Sequence, residues 1–85
     1  MDRQFPRLNT MTDTRFTLSS EFIELNALLK VLGLASSGGA AKVMIGAGLV
    51  QVDDQVETRI RRKLRGGEVV RVGEEQVRMV RGSAA

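Results

Sequence analysis

Residues 25–48 read LNALLKVLGLASSGGAAKVMIGAG. Leu25, Leu28, Leu29 and Leu32 recur at i, i+3, i+4 and i+7, the spacing of one helical face. Asn26 is a poor residue for a helix interior and suits a place near the cap. Gly33 stops the helix, because glycine accepts the left-handed backbone that follows a helix end. Leu34-Ala35-Ser36 is a tight connection. Ser37 then offers its hydroxyl as N-cap to a second helix running through Ala40–Ala47. That helix would bury Ala41, Met44 and Ile45 beside Gly48, with Val43 and Ala47 flanking, and Gly48 ends it. Two helices joined so closely make a helix-turn-helix-like unit.

The flanks of this pair read as strands. On the N-terminal side, Arg15-Phe16-Thr17-Leu18 has strand composition and alternation, and Ser19-Ser20 is a turn. Phe22-Ile23-Glu24 fits either a second short extended piece or a helix entry. On the C-terminal side, Leu49-Val50-Gln51-Val52 is a strand and Asp53-Asp54 a turn without the usual glycine. Gln55-Val56-Glu57 returns from that turn. Gly66-Gly67-Glu68 turns the chain into Val69-Val70-Arg71-Val72. Gly73-Glu74-Glu75 leads on to Gln76-Val77-Arg78-Met79-Val80, the second arm of a hairpin. The order predicts an α+β fold, with two short helices packed on a small antiparallel sheet of short strands. Residues 1–14, with the only proline at Pro6, read as a flexible leader, 15–81 as a single domain and 82–85 as a flexible tail.

Composition narrows the chemistry. At 85 residues the chain makes one domain with a thin core. It has no cysteine and no histidine, so it has no disulfide or thiolate chemistry and a structural zinc site is not expected. General acid–base work at neutral pH would need a strongly shifted carboxylate or lysine. There is no apolar run long enough for a transmembrane helix. We therefore expect a cytoplasmic monomer with no cofactor, no metal, no membrane partner and no enzymatic activity. Asp53, Asp54 and Glu57 resemble a carboxylate cluster, but turn chemistry accounts for the aspartates and no nucleophile goes with them.

Charge is unevenly placed. Residues 1–58 carry five basic and seven acidic side chains; residues 59–85 carry eight basic and three acidic. The excess is concentrated in Arg59-Ile60-Arg61-Arg62-Lys63-Leu64-Arg65. Such a segment is an electrostatic footprint for a polyanion. Ile60 and Leu64 interrupt it at i, i+4 and would anchor it to the core. Arginine outnumbers lysine there, which favours bidentate phosphate contact. Five contacts to one strand would give a salt slope of roughly −3.5. A second candidate is the start of helix two, where the amides of Gly38, Gly39 and Ala40 lie behind the Ser37 cap and glycine lets a phosphate approach the backbone. Lys42, one turn on, and Lys30, near the end of helix one, could extend that surface. The three aromatics are all phenylalanine. Phe16 and Phe22 read as core residues, so recognition by shape and backbone is expected over base stacking.

Residues 25–72 resemble the alpha-L RNA-binding motif, the domain named after small-subunit ribosomal protein S-four. The resemblance rests on the leucine-rich first helix, Ser36-Ser37 opening the second, and Ala41-Lys42 within it. It extends to the Gly48-Leu49-Val50-Gln51-Val52-Asp53 step and the Arg65-Gly66-Gly67-Glu68-Val69-Val70 turn and strand. Leu28-Leu29-Lys30, Ser37-Gly38-Gly39 and Val56-Glu57-Thr58-Arg59 look most like the short stand-alone bacterial members of the YbcJ type. The chain departs from the motif in two places. Gly38 and Gly39 stand where a long cation often follows the serine, and Gly66 stands where proline is common.

The resemblance implies a non-catalytic module that binds structured RNA, ribosomal or transfer RNA among the candidates. Its cationic surface would comprise Lys30, Ser37, Gly38, Gly39, Lys42, Arg59, Arg61, Arg62, Lys63 and Arg65. Replacing Arg61, Arg62 and Lys63 is expected to weaken binding and leave the fold intact. Two other readings stay open. The basic patch could dock an acidic protein partner, or the helical pair could bind DNA. The second is weaker, because helix two offers one lysine and no Arg, Asn or Gln to read base edges.

Overall fold

The leucine periodicity and the serine cap both become structure. In the computed structural model, which describes residues 12–82, α1 spans Leu25–Val31 and α2 spans Gly38–Gly46. Leu25, Leu28 and Leu29 are fully buried on α1, and Ala41 and Ile45 on α2. Gly33 and Gly48 lie just past the two helix ends with φ of 77° and 79°, the left-handed stop that glycine accepts without a Cβ penalty. Helix two begins at Gly38, two residues ahead of Ala40, because Ser37 Oγ accepts from Ala40 N at 3.0 Å and fixes the first turn.

Seven short strands surround the helices. They are β1 (Thr12–Leu18), β2 (Ile23–Glu24), β3 (Val50–Val52), β4 (Gln55–Val56), β5 (Lys63–Leu64), β6 (Val69–Val72) and β7 (Glu75–Arg81). Five of them form one sheet in the order β1-β7-β6-β3-β4, while β2 and β5 make a separate two-stranded ribbon. The α+β expectation holds, with one difference. The sheet is mixed, because β1 runs parallel to β7, with Phe16 beside Met79 and Thr14 beside Val77. That register turns Leu18 and Phe16 toward the cluster that holds Val77 and Met79. Strand β1 starts at Thr12, so residues 12–14 of the expected leader belong to the sheet. The rest of that leader, 1–11, and residues 83–85 of the expected 82–85 tail lie outside the described residues.

The core is one cluster. Val50, Val52, Val70, Val77 and Met79 from the sheet join the buried faces of both helices, together with Leu18 and Leu64. Strand β3 buries Val50 and Val52 on either side of Gln51, and β7 buries Val77 and Met79 on either side of Arg78, as a sheet covered on one side requires, while the edge strand β4 is exposed. Among the described residues no helix is long and apolar enough to cross a membrane.

Candidate nucleic-acid interface

The basic segment is fastened to the domain by its backbone. Leu25 N donates to Arg62 O at 2.8 Å and Asn26 N to Ile60 O at 3.1 Å. Glu24, the N-cap residue of α1, makes no side-chain capping bond. The carbonyls of the basic loop therefore satisfy amides that the start of a helix leaves without partners. Leu64 is fully buried and Ile60 packs against the core, as their spacing predicts. Ile23 pairs with Leu64 and Glu24 with Lys63 in the β2–β5 ribbon.

Two of the five cations are paired within the domain, Arg62 half-buried and Arg59 still exposed. Glu57, only 8 % exposed, sits between them. Its carboxylate accepts from Arg59 Nε at 2.9 Å, Arg59 Nη2 at 3.0 Å and the Arg59 backbone amide at 3.0 Å. It also accepts from Arg62 Nη1 at 2.7 Å. The Arg59 side-chain bonds, opposed by burial and helped by Arg62, hold the Glu57 carboxyl at about 2. The presumed carboxylate cluster is thereby taken apart. Asp53 Oδ1 accepts from Val69 N at 3.0 Å, and Asp54 pairs with Arg71 at 3.3 Å. Each acid fastens a different piece of chain.

Arg61, Lys63 and Arg65 pair with no carboxylate among the described residues, and all three are exposed. Arg59, Arg61, Arg62 and Lys63 line an open depression of about 460 Å³. Arg65 joins them through Phe22. The Lys63 ammonium lies 4.8 Å and the Arg65 guanidinium 5.5 Å from the centre of the Phe22 ring. The expectation that Phe22 is a core residue is corrected here, whereas Phe16 does pack against the core. Ile23 and Leu64 face inward across the ribbon. The pleat therefore sends Phe22, Lys63 and Arg65 to its other face. Phe22 does not stand out in the sequence as part of a site, and Glu57 does so only as one acid of the carboxylate group, not as a partner of the basic run. The available signals are that Phe22 adjoins Ile23, which pairs with Leu64, and that Glu57 lies two residues before Arg59.

The turn that ends the run is tightly fitted. Gly66 has φ of 118°, and a Cβ there would lie 3.1 Å from Arg81 Cβ and 3.2 Å from Arg81 N. The Glu68 carboxylate accepts from Arg65 N at 2.9 Å and Gly66 N at 2.8 Å.

The other candidates form a second group. Lys30 is exposed in the last turn of α1, where a cation complements the helix dipole. Ser37, Gly38 and Gly39 open α2, and Lys42 is exposed one turn on. Ser37 spends its Oγ on Ala40 N, which leaves the amides of Gly38 and Gly39 without an intrahelical acceptor. A Cβ on Gly38 would meet nothing within 4 Å, and one on Gly39 only Ser37 Oγ at 3.8 Å. The fold itself does not demand glycine at either place. The two groups attach at opposite ends of α1, whose seven residues separate them by about 10 Å along its axis.

Comparison with known proteins gives a consistent result. The S4 domain family matches residues 16–80. The protein YbcJ of Escherichia coli (strain K12) is 43% identical over 58 residues, which cover 68% of this chain and 83% of that protein. YbcJ of Shigella flexneri matches to the same extent. The solution structure of YbcJ from E. coli, described as revealing an alfaL motif involved in RNA-binding, superimposes with a TM-score of 0.59 at 34% identity. It covers 93% of this chain and 99% of that one. A family match over residues 16–80 and a relative 43% identical over most of its own length show that the chain belongs to the S4 domain family.

Proposed function

We propose that this protein is a non-catalytic RNA-binding module of the cytoplasm, acting as a monomer. It would grip structured RNA, ribosomal or transfer RNA being the candidate classes, through cations that its fold holds in place. The observation that carries this reading is the division of labour within the basic run. Glu57 immobilises Arg59 and Arg62, so that Arg61, Lys63 and Arg65 project from a stiff base. Cations on a pre-set frame lose less freedom when they meet phosphates than cations on a mobile loop. Membership of the S4 domain family and the RNA-binding motif described for the E. coli YbcJ structure support the same partner. The start of α2 would supply further phosphate contact, with Gly38 and Gly39 letting the backbone approach, and Lys30 and Lys42 adding charge beside it.

Titration of a fluorescent RNA hairpin at rising salt tests the reading. Affinity should fall steeply with salt, because each neutralised phosphate releases counterions. Salt-insensitive or absent binding defeats it. Co-purified material that survives nuclease treatment and proves to be an acidic protein would instead favour docking on a protein partner.

A further inference from the structure

The ring of Phe22 is half-buried yet stands outside the core cluster. Two cations of the RNA-facing segment gather on it, Lys63 at 4.8 Å and Arg65 at 5.5 Å. We propose that Phe22, Lys63 and Arg65 form a site for one unpaired nucleotide, its base stacking on the aromatic ring and its phosphate held by the two cations. This inference rests on the RNA-binding reading and refines its substrate to structured RNA that carries an unpaired nucleotide, such as a bulge.

The energetics favour the exchange. An exposed cation–π contact is worth roughly 2- to 5-fold in an equilibrium constant. Stacking of a base on an aromatic side chain is worth roughly 5- to 150-fold. A base that displaces one cation from the ring therefore gains, and the displaced cation is freed for the phosphate. The Arg65 guanidinium is planar and extends the stack. Lys63 also lines the depression beside Arg59, Arg61 and Arg62, where the adjoining backbone would lie. A paired base has both faces covered by its neighbours and cannot use the ring, so the site selects an unpaired one. Because Phe22 faces away from Ile23 and Leu64, which carry the apolar side of the ribbon, its removal leaves the core intact.

Two RNA hairpins decide the matter, each closed by a non-nucleotide linker in place of a loop, one with a fully paired stem and one carrying a single bulged 2-aminopurine, whose fluorescence is quenched on stacking. The wild-type chain should bind the bulged hairpin roughly 5- to 150-fold more tightly and quench it. Phe22→Ala should abolish both the preference and the quench, bringing the bulged hairpin down to the affinity of the paired one. Phe22→Trp should keep both. Phe22→Leu, which retains apolar bulk without a π-face, should behave like Phe22→Ala. Equal binding of the two hairpins, equal weakening of both by Phe22→Ala, or a preference that survives Phe22→Leu overturns the nucleotide site and leaves the RNA-binding reading standing. If neither hairpin binds the wild-type chain, that reading fails and the site falls with it.

Discussion

Glu57 Oε1 lies 2.7 Å from Arg62 Nη1, and this contact turns part of a basic patch into structure. The Arg62 carbonyl caps the start of α1 while its guanidinium neutralises a buried acid. One residue thus links the helix, the loop and the strand that precedes it. Glu57→Gln and Arg62→Ala should each destabilise the fold by about 1–3 kcal/mol, since each leaves a charged partner with unmet bonds. Chemical denaturation would measure this. The joint replacement of Arg61, Arg62 and Lys63 should therefore cost stability as well as affinity, contrary to what the sequence suggests.

Glu57 also sets an acid limit, through its bonds from Arg59 first and from Arg62 second. The Glu57 carboxyl is lowered from 4.5 to about 2 on folding. The unfolded chain therefore takes up the proton first as pH falls. Stability from this group is complete above about pH 4.5 and is lost as pH drops toward 2. Thermal unfolding across that range should show a falling Tm for the wild type and a flatter profile for Glu57→Gln. An identical slope in both would mean that other carboxylates govern acid unfolding.

Salt dependence should count the cations that are free to bind. With Arg61, Lys63 and Arg65 as its contacts, the basic run should contribute roughly −2 to the slope of log affinity against log salt, against roughly −3.5 if all five bound. Single alanine replacements of these three should each reduce its magnitude by roughly 0.7 and leave the fold unchanged. A slope unmoved by all three would remove the segment from the interface.

At the start of α2, stability and binding should part company. Gly38→Ala/Gly39→Ala has room for both methyl groups and should hold or raise stability by up to about 1 kcal/mol. RNA affinity should nevertheless fall, because the backbone becomes harder to approach. Ser37→Ala should instead lower stability by about 1 kcal/mol through loss of the cap. Calorimetry alongside an RNA titration separates the effects, and unchanged affinity in the double variant would confine this helix start to a structural role.

Gly66 provides the opposite case. Its φ of 118° is strained for any side chain, and a Cβ there would press on Arg81 at 3.1–3.2 Å. Gly66→Ala should cost about 1–3 kcal/mol, a fall in Tm of several degrees for a domain of this size. A Tm equal to that of the wild type would show that this turn relaxes freely.

Local signals made the helices and most strands legible. Leucines on one face, a serine at the cap and glycines past each end act within a few residues of where they stand. The β6–β7 hairpin is legible for the same reason. The parallel partner of β1 is not, since nothing near Phe16 specifies that Met79 will lie beside it. The anchors Ile60 and Leu64 could be read from their spacing. The burial of Glu57 could not, because Arg62 reaches it only after the chain turns at Ile60 and Arg61. Phe22 was obscured by its composition: phenylalanine next to isoleucine reads as core until the ribbon's pleat separates the two.

The pairing of β1 with β7 also bears on the order of assembly. Thr12 meets Glu75 and Leu18 meets Arg81, so the first strand has no partner until the last has been synthesised. At translation rates of roughly 5–20 residues per second, that interval is several seconds. The helical pair and the β3–β4 hairpin rest on local contacts and can form within it. Closure of the sheet is therefore a late step. Until it is complete, the nascent chain carries Phe16 and Leu18 uncovered and is most open to chaperones and proteases.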